Sequence, residues 1–144
     1  MILYLDTSAL VKVYVQEEGS PLVQGLIAGA SLVATSRIAY AEARAALARA
    51  SREGALTETD YRDSITHLKA DWPSYFILEV TEQAVQLAGE LAERHRLRGF
   101  DSLHLASAVL LTRRVKDGVT FACWDTRLWE AAKSEGFQMA PPSW

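Results

Sequence analysis

Ile2-Leu3-Tyr4-Leu5-Asp6-Thr7-Ser8 is a run of four apolar residues followed at once by an acid and two hydroxyls. Continuous apolar character without alternation is what a strand covered on both faces by helices requires, so residues 2–6 are expected to form a buried strand of a parallel sheet. The polar triplet then falls where that strand ends and a helix begins, the place where open parallel sheets put their ligand sites. Asp, Thr and Ser are also good helix caps, and capping alone accounts for an acid at this position.

Working outward, the same alternation continues. A short helix runs through Leu10 to Val15. Ser20-Pro21 starts another that reaches Ala28, and Ser31 to Ala34 forms a second strand. Ser36 is expected to cap a long alanine-rich helix from Arg37 to about Arg52, closed by Gly54. Thr57 starts the next, which Pro73 stops after Trp72. Phe76 to Val80 supplies a third strand, followed by a Thr81-capped helix to about His95 and a helix from Asp101 to Arg113. Val119 to Cys123 forms the fourth strand, Thr126 to Ser134 the last helix, and Phe137 to Met139 a short terminal strand. The pattern predicts one three-layer α/β/α domain over residues 1–144, with a central parallel sheet of about five strands and right-handed crossovers.

A chain of 144 residues, 49% hydrophobic, buries a core without staples. Its single cysteine, Cys123, lies in an apolar strand and is expected to be a buried structural thiol. The opening stretch has no basic leader and carries Asp6 and Lys12, and no apolar run reaches membrane-spanning length. The expected compartment is therefore the cytoplasm. A formal net charge of -3 gives no overall basic footprint for nucleic acid. Setting aside Asp6, Glu42, Asp101 and Asp125 leaves 14 acidic residues against 15 basic ones, and the local field matters more than the total. Arg94, His95, Arg96 and Arg98 crowd the approach to Asp101, which makes Arg96 and Arg98 candidate phosphate contacts. A helix end whose cations suit its C-terminal dipole explains them equally well.

Glu42 is the least ordinary of the four acids. Its helical neighbours three and four residues away are Ile38, Ala39, Ala45 and Ala46, so its carboxylate sits on an apolar face and needs something to compensate its charge. Asp101 before Ser102-Leu103 and Asp125 before Thr126-Arg127 are each explained by helix capping when taken alone. An acid after both the first and the fourth strand, together with Glu42 and Asp101, favours one shared site. Two carboxylates about 4 Å apart repel by roughly 4 kcal/mol at an effective dielectric near 20, so such a pocket needs a cation. Hard oxygen donors point to Mg²⁺ or Mn²⁺.

The opening Ile-Leu-Tyr-Leu-Asp6-Thr7-Ser8, the segment Ser36-Arg-Ile-Ala-Tyr-Ala-Glu42, the run Arg98-Gly-Phe-Asp101-Ser-Leu-His-Leu-Ala-Ser-Ala and the late Asp125-Thr-Arg-Leu resemble PIN-domain nucleases, particularly VapC-type toxins. Each motif is weak alone. Four in order, spanning essentially the whole chain, are specific. The resemblance implies that Asp6, Glu42, Asp101 and Asp125 form an acidic catalytic and metal site supported by hydrogen bonds from Thr7 or Ser8. It implies endonucleolytic cleavage of RNA that leaves a 5′ phosphate, with Mg²⁺ or Mn²⁺ as cofactor. It also implies a cognate antitoxin that inserts a peptide near the acids, and it is compatible with a homodimer.

Cys123 departs from the family pattern, which has a hydroxyl residue two places before the last acid. His104, one helical turn after Asp101, is expected to be a packing or hydrogen-bonding residue and not a metal ligand. Trp124 and Tyr40 each fit either core packing or base stacking. Two alternatives stand beside the toxin: a general RNA-processing nuclease without an antitoxin, and a phosphoacceptor signalling domain. The second lacks its usual adjacent acid pair and its late-strand lysine here. In the related phosphatase pattern a second aspartate follows two residues after the first, where this chain has Ser8.

Overall fold

The strand β1 (Ile2–Leu5) is buried along its whole length and lies at the centre of the sheet. A computed structural model describes all residues 1–144. After β1 come α1 (Thr7–Tyr14), α2 (Ser20–Gly29), β2 (Leu32–Ser36), α3 (Ala39–Arg52) and α4 (Glu58–Asp71). A single 3₁₀ turn at Trp72–Ser74 leads into β3 (Phe76–Leu78), α5 (Glu82–His95), α6 (Gly99–Thr112), β4 (Val119–Ala122), α7 (Thr126–Ser134) and β5 (Gln138–Ala140). All pairings are parallel, in the order β3-β2-β1-β4-β5. The five-strand parallel α/β architecture is the one the sequence predicts.

Because side chains alternate across a strand, β1 feeds two cores. Ile2 and Tyr4 join Phe121 and the apolar faces of α5, α6 and α7. Leu3 and Leu5 join Ala9, Leu10, Ala43, Leu47 and Leu68 from α1, α3 and α4. The strand order reverses between β1 and β4, so their carboxyl ends open a crevice at the topological switch point. The Asp6 N–H donates to the Ala122 carbonyl at 3.2 Å, carrying the β1–β4 ladder to the edge of that crevice.

Several helix starts differ from expectation. Thr57 and Thr81 cap as predicted, accepting from the N–H groups of Asp60 and Ala84. Ser36 does not cap α3. It is the buried last residue of β2, its hydroxyl accepts from the Ile38 N–H at 3.3 Å in the turn, and α3 begins at Ala39 without a side-chain cap. Helix α6 begins at Gly99, two residues before Asp101, so Asp101 lies inside the first turn and its carboxylate is not spent on a cap. Helix α1 begins directly at Thr7, three residues before the expected Leu10, because Asp6 caps it. The strand ends move by one or two residues, as is usual for element boundaries.

Candidate active site

Asp6 leaves the end of β1 with only 3% of its surface exposed. Its Oδ1 accepts from the Ala9 N–H at 2.9 Å and from the Ser8 hydroxyl at 2.7 Å. Capping and site geometry therefore coexist in one side chain. Burial pushes its carboxyl up to about 6, and the nearby Asp101 adds to that rise, while His104, Ser8 and the Ala9 N–H oppose it. Asp6 is thus an anion held in an unfavourable place, the condition that a cation relieves.

Glu42 comes in from the first turn of α3 and is half-buried. Its Oε1 accepts from the Thr7 hydroxyl at 2.6 Å and lies 2.9 Å from His104 Nε2. Burial alone would raise its carboxyl, but the hydrogen bonds from His104 and Thr7, aided by nearby positive charge including Arg98, hold the group below its ordinary value. The compensation that an acid on an apolar helix face requires is therefore supplied by Thr7 and His104.

Asp101 and Asp125 share one cation. The Arg98 guanidinium donates to Asp101 Oδ2 at 3.0 Å and to Asp125 Oδ2 at 3.4 Å, and the first of these raises the affinity of Arg98 for its proton most. Asp125 also caps α7 through the Leu128 N–H at 3.0 Å. The buried Cys123 thiol, at the family's hydroxyl position, donates to the Asp125 carbonyl at 3.8 Å. Burial pushes that thiol far above its ordinary value, which marks it as structural and not nucleophilic.

All four acids line one cavity of about 490 Å³ at the switch point, together with Thr7 and Ser8. They share it without converging on a single point: no three acidic, histidine or cysteine side chains stand close enough to hold one ion. The reason lies in the partners just named. Arg98 takes up Asp101 and Asp125, while Ser8 and Thr7 hold Asp6 and Glu42. The donor set itself, four carboxylates with hydroxyl neighbours, is the oxygen-rich chemistry that Mg²⁺ or Mn²⁺ prefers.

Two residues at this cavity, His104 and Lys12, and one at the adjoining cavities, Arg127, were not singled out as site residues from sequence. His104 is buried beneath Glu42, and its place one turn after Asp101 was the only signal for it. Lys12 pairs with Glu17 at 3.0 Å and lies over the Trp124 ring at 5.0 Å, which gives that half-buried indole a packing role. Arg127 borders two further cavities of about 330 and 310 Å³. Arg96 lines both of them, and Arg98, Asp101 and Asp125 connect the first to the acidic cavity. Tyr40 packs on Trp72 at 5.2 Å, a core contact.

Residues 3–115 match the PIN domain family. The chain belongs to that family. Two relatives from Mycobacterium tuberculosis carry the name Ribonuclease VapC. Ribonuclease VapC45 from strain CDC 1551 / Oshkosh is 40% identical over 140 residues, covering 97% of this chain and 95% of the relative. Ribonuclease VapC46 from strain H37Rv is 30% identical over 141 residues, covering 98% of both. Among solved structures, PAE2754 from Pyrobaculum aerophilum superposes with a TM-score of 0.69 at 19% identity, covering 98% of this chain and 90% of that one. VapC20 from Mycobacterium tuberculosis superposes with a TM-score of 0.64 at 16% identity, covering 94% and 95%. At that identity the structures share the PIN fold with this chain. No helix of this PIN domain is long and apolar enough to cross a membrane.

Proposed function

We propose that this PIN domain is a divalent-metal-dependent ribonuclease that hydrolyses internal phosphodiester bonds of RNA, and that it acts as the toxin of a toxin-antitoxin pair. The observation that carries the proposal is the meeting of Asp6, Glu42, Asp101 and Asp125 on one cavity at the switch point. The near full-length similarity to proteins named Ribonuclease VapC supports it.

Asp6, Glu42, Asp101 and Asp125 would hold Mg²⁺ or Mn²⁺, with Thr7 and Ser8 orienting Glu42 and Asp6. A dication bound there supplies Lewis-acid polarisation of the phosphate and neutralises charge in the transition state. Asp101 or Asp125, once released by Arg98, accepts the proton of the attacking water. Arg98 exchanges its carboxylates for a phosphate oxygen of the substrate. Arg96 and Arg127 continue that basic edge along the adjoining cavities and grip backbone phosphates on one side of the cut. Phe100, 60% exposed in an adjoining cavity that shares Glu42, Arg98 and Asp101 with the acidic one, offers a face on which an unpaired base can stack. These contacts read backbone and stacking, so they favour a single-stranded or looped RNA.

The test is incubation of the purified full chain with total cellular RNA in Mg²⁺ or Mn²⁺, with Asp6→Asn as control and mapping of the cut ends. Discrete cuts bearing 5′ phosphates, lost in the control and in EDTA, are expected. Cleavage that persists in EDTA or in Asp6→Asn overturns the proposal. For the toxin role, growth arrest on expression, relieved by co-expressing the product of the adjacent short reading frame, is expected. Unimpeded growth with active cleavage points instead to a processing nuclease.

A further inference from the structure

His104 is 1% exposed in the middle of α6 and yet carries two polar ring nitrogens, both of which find partners. Nδ1 lies 2.8 Å from the Tyr4 hydroxyl. Nε2 lies 2.9 Å from Glu42 Oε1 and 3.0 Å from Thr7 Oγ1. Tyr4 is itself fixed, fully buried at the centre of β1 and stacked on Phe121 at a ring separation of 5.2 Å. The Tyr4 and His104 rings meet edge-on at 5.9 Å. A continuous line of contact therefore runs from the core of the sheet to one carboxylate of the site.

The protons along this line are determined by donor and acceptor capacity. An ionised Glu42 only accepts, so Nε2 must carry the proton directed at it. Thr7 accepts a share of that proton and passes its own to Glu42 at 2.6 Å. The Tyr4 hydroxyl lies 2.8 Å from Nδ1 and also has Ser107 as a hydrogen-bonding neighbour; with Nε2 donating to Glu42, Nδ1 is the ring nitrogen that can accept the Tyr4 proton. Burial, reinforced by the Asp6 charge, raises the Tyr4 phenol well above its ordinary value, so it stays a donor. A proton on Nε2 with Nδ1 accepting satisfies the contacts to Glu42, Thr7 and Tyr4 together.

We propose that His104 is the positioning residue for Glu42: its Nε2–H holds one carboxylate oxygen against Thr7, and the Tyr4 hydroxyl locks the ring so that this nitrogen is always the donor. The effect is to fix the carboxylate that α3 brings to the cavity through one of its two oxygens. Nothing in this arrangement requires His104 to touch substrate or ion. The proposal rests on Glu42 belonging to the site described above.

The experiment compares His104→Gln, His104→Asn and Tyr4→Phe in the full chain, with folding checked by circular dichroism. A Gln side chain places an amide N–H near the position of Nε2, whereas Asn reaches only as far as Nδ1. Removing an outer contact of a metal-binding carboxylate costs roughly 10–100-fold in metal affinity, so His104→Asn should weaken Mn²⁺ binding by that amount while His104→Gln stays within about threefold of the parent. Free Mn²⁺ followed by electron paramagnetic resonance gives the affinities without any RNA. Nitrogen-15 spectra of the metal-free chain should show His104 protonated at Nε2 and bare at Nδ1, with the two forms mixed in Tyr4→Phe. Should His104→Asn fail to fold, the Tyr4→Phe spectra and its Mn²⁺ affinity decide instead. Equal Mn²⁺ affinity in the parent, Asn and Gln chains, or a proton on Nδ1 of the parent, overturns the proposal and leaves the ribonuclease assignment standing. A parent that binds Mn²⁺ but cuts no RNA removes the ribonuclease assignment and leaves the Asn–Gln contrast to support His104. A parent that binds no Mn²⁺ overturns both.

Discussion

The Ser8 hydroxyl accepts the Trp124 main-chain N–H at 2.9 Å, joining the segments that leave β1 and β4 at the lip of the acidic cavity. The same hydroxyl donates to Asp6. Ser8→Ala therefore orphans a partly buried N–H and removes a donor from a buried carboxylate, at an expected cost of about 1–3 kcal/mol. Chemical denaturation of the variant measures it. A midpoint equal to that of the parent removes the bridge from any account of the site.

Asp6 should set the pH dependence of the metal-free chain. Its carboxyl keeps its proton to about pH 6 when folded, whereas an aspartate in an unfolded chain keeps it only to about 3.9. As pH rises, the unfolded chain loses this proton first, so stability falls between about pH 4 and pH 6. The loss is complete above that window and amounts to about 3 kcal/mol at 1.36 kcal/mol per unit. Glu42 acts with opposite sign: held below its ordinary value, it stabilises above the unfolded carboxyl range and withdraws that help as pH falls. In EDTA the chain should melt higher at about pH 5 than at about pH 7.5, and Asp6→Asn should flatten that difference, raise melting at the higher pH and abolish cleavage. A melting curve that does not move with pH between those values rules out the strained carboxylate.

Much of this was legible in the sequence, for physical reasons that differ by residue. The uninterrupted Ile2-Leu3-Tyr4-Leu5 run announces a strand with helices on both faces, and the structure puts it at the centre with both faces covered. Acids after strands become neighbours when the strands are adjacent and parallel, which is why Asp6 and Asp125 could be paired from 119 residues apart. Glu42 betrayed itself by its apolar company. Arg98 as a clamp between two acids was not legible, because the reach of a long side chain depends on how α6 and α7 are set against each other. His104 was placed as a hydrogen-bonding residue, but its partners Tyr4 and Glu42 lie 100 and 62 residues away, and no local pattern encodes that meeting. Ser36 misled because a hydroxyl before a helix usually caps it, and here the strand runs through the serine first.

Gly19 should tolerate no side chain. Its φ of 92° lies in the left-handed region, and a Cβ there would meet the Trp124 ring at 2.8 Å. Gly19→Ala is expected to destabilise by about 2–4 kcal/mol, combining left-handed strain with overpacking. It should also displace the indole that Lys12 covers. Thermal melting with tryptophan fluorescence measures both effects, and an unchanged melting point with unchanged emission contradicts the close approach.

Arg98→Ala tests whether the arginine stands in for a dication. The side chain is largely exposed, so its ion pairs contribute at most about 1 kcal/mol to the metal-free fold. Removing it leaves Asp101 and Asp125 without the cation they share. The rise in melting temperature on adding Mn²⁺ should therefore be larger in Arg98→Ala than in the parent. An equal or smaller rise shows that the arginine does not compete for those carboxylates.

The four carboxylates come from β1, α3, α6 and the far side of β4, so no fragment of this chain possesses the whole set. Asp6 and Asp125 lie 119 residues apart, and β4 must slot in beside β1 before the crevice exists. A chain in which β4 has not yet paired with β1 therefore lacks the complete site. On the proposed function, the capacity to cut RNA would arise only after β4 has paired with β1.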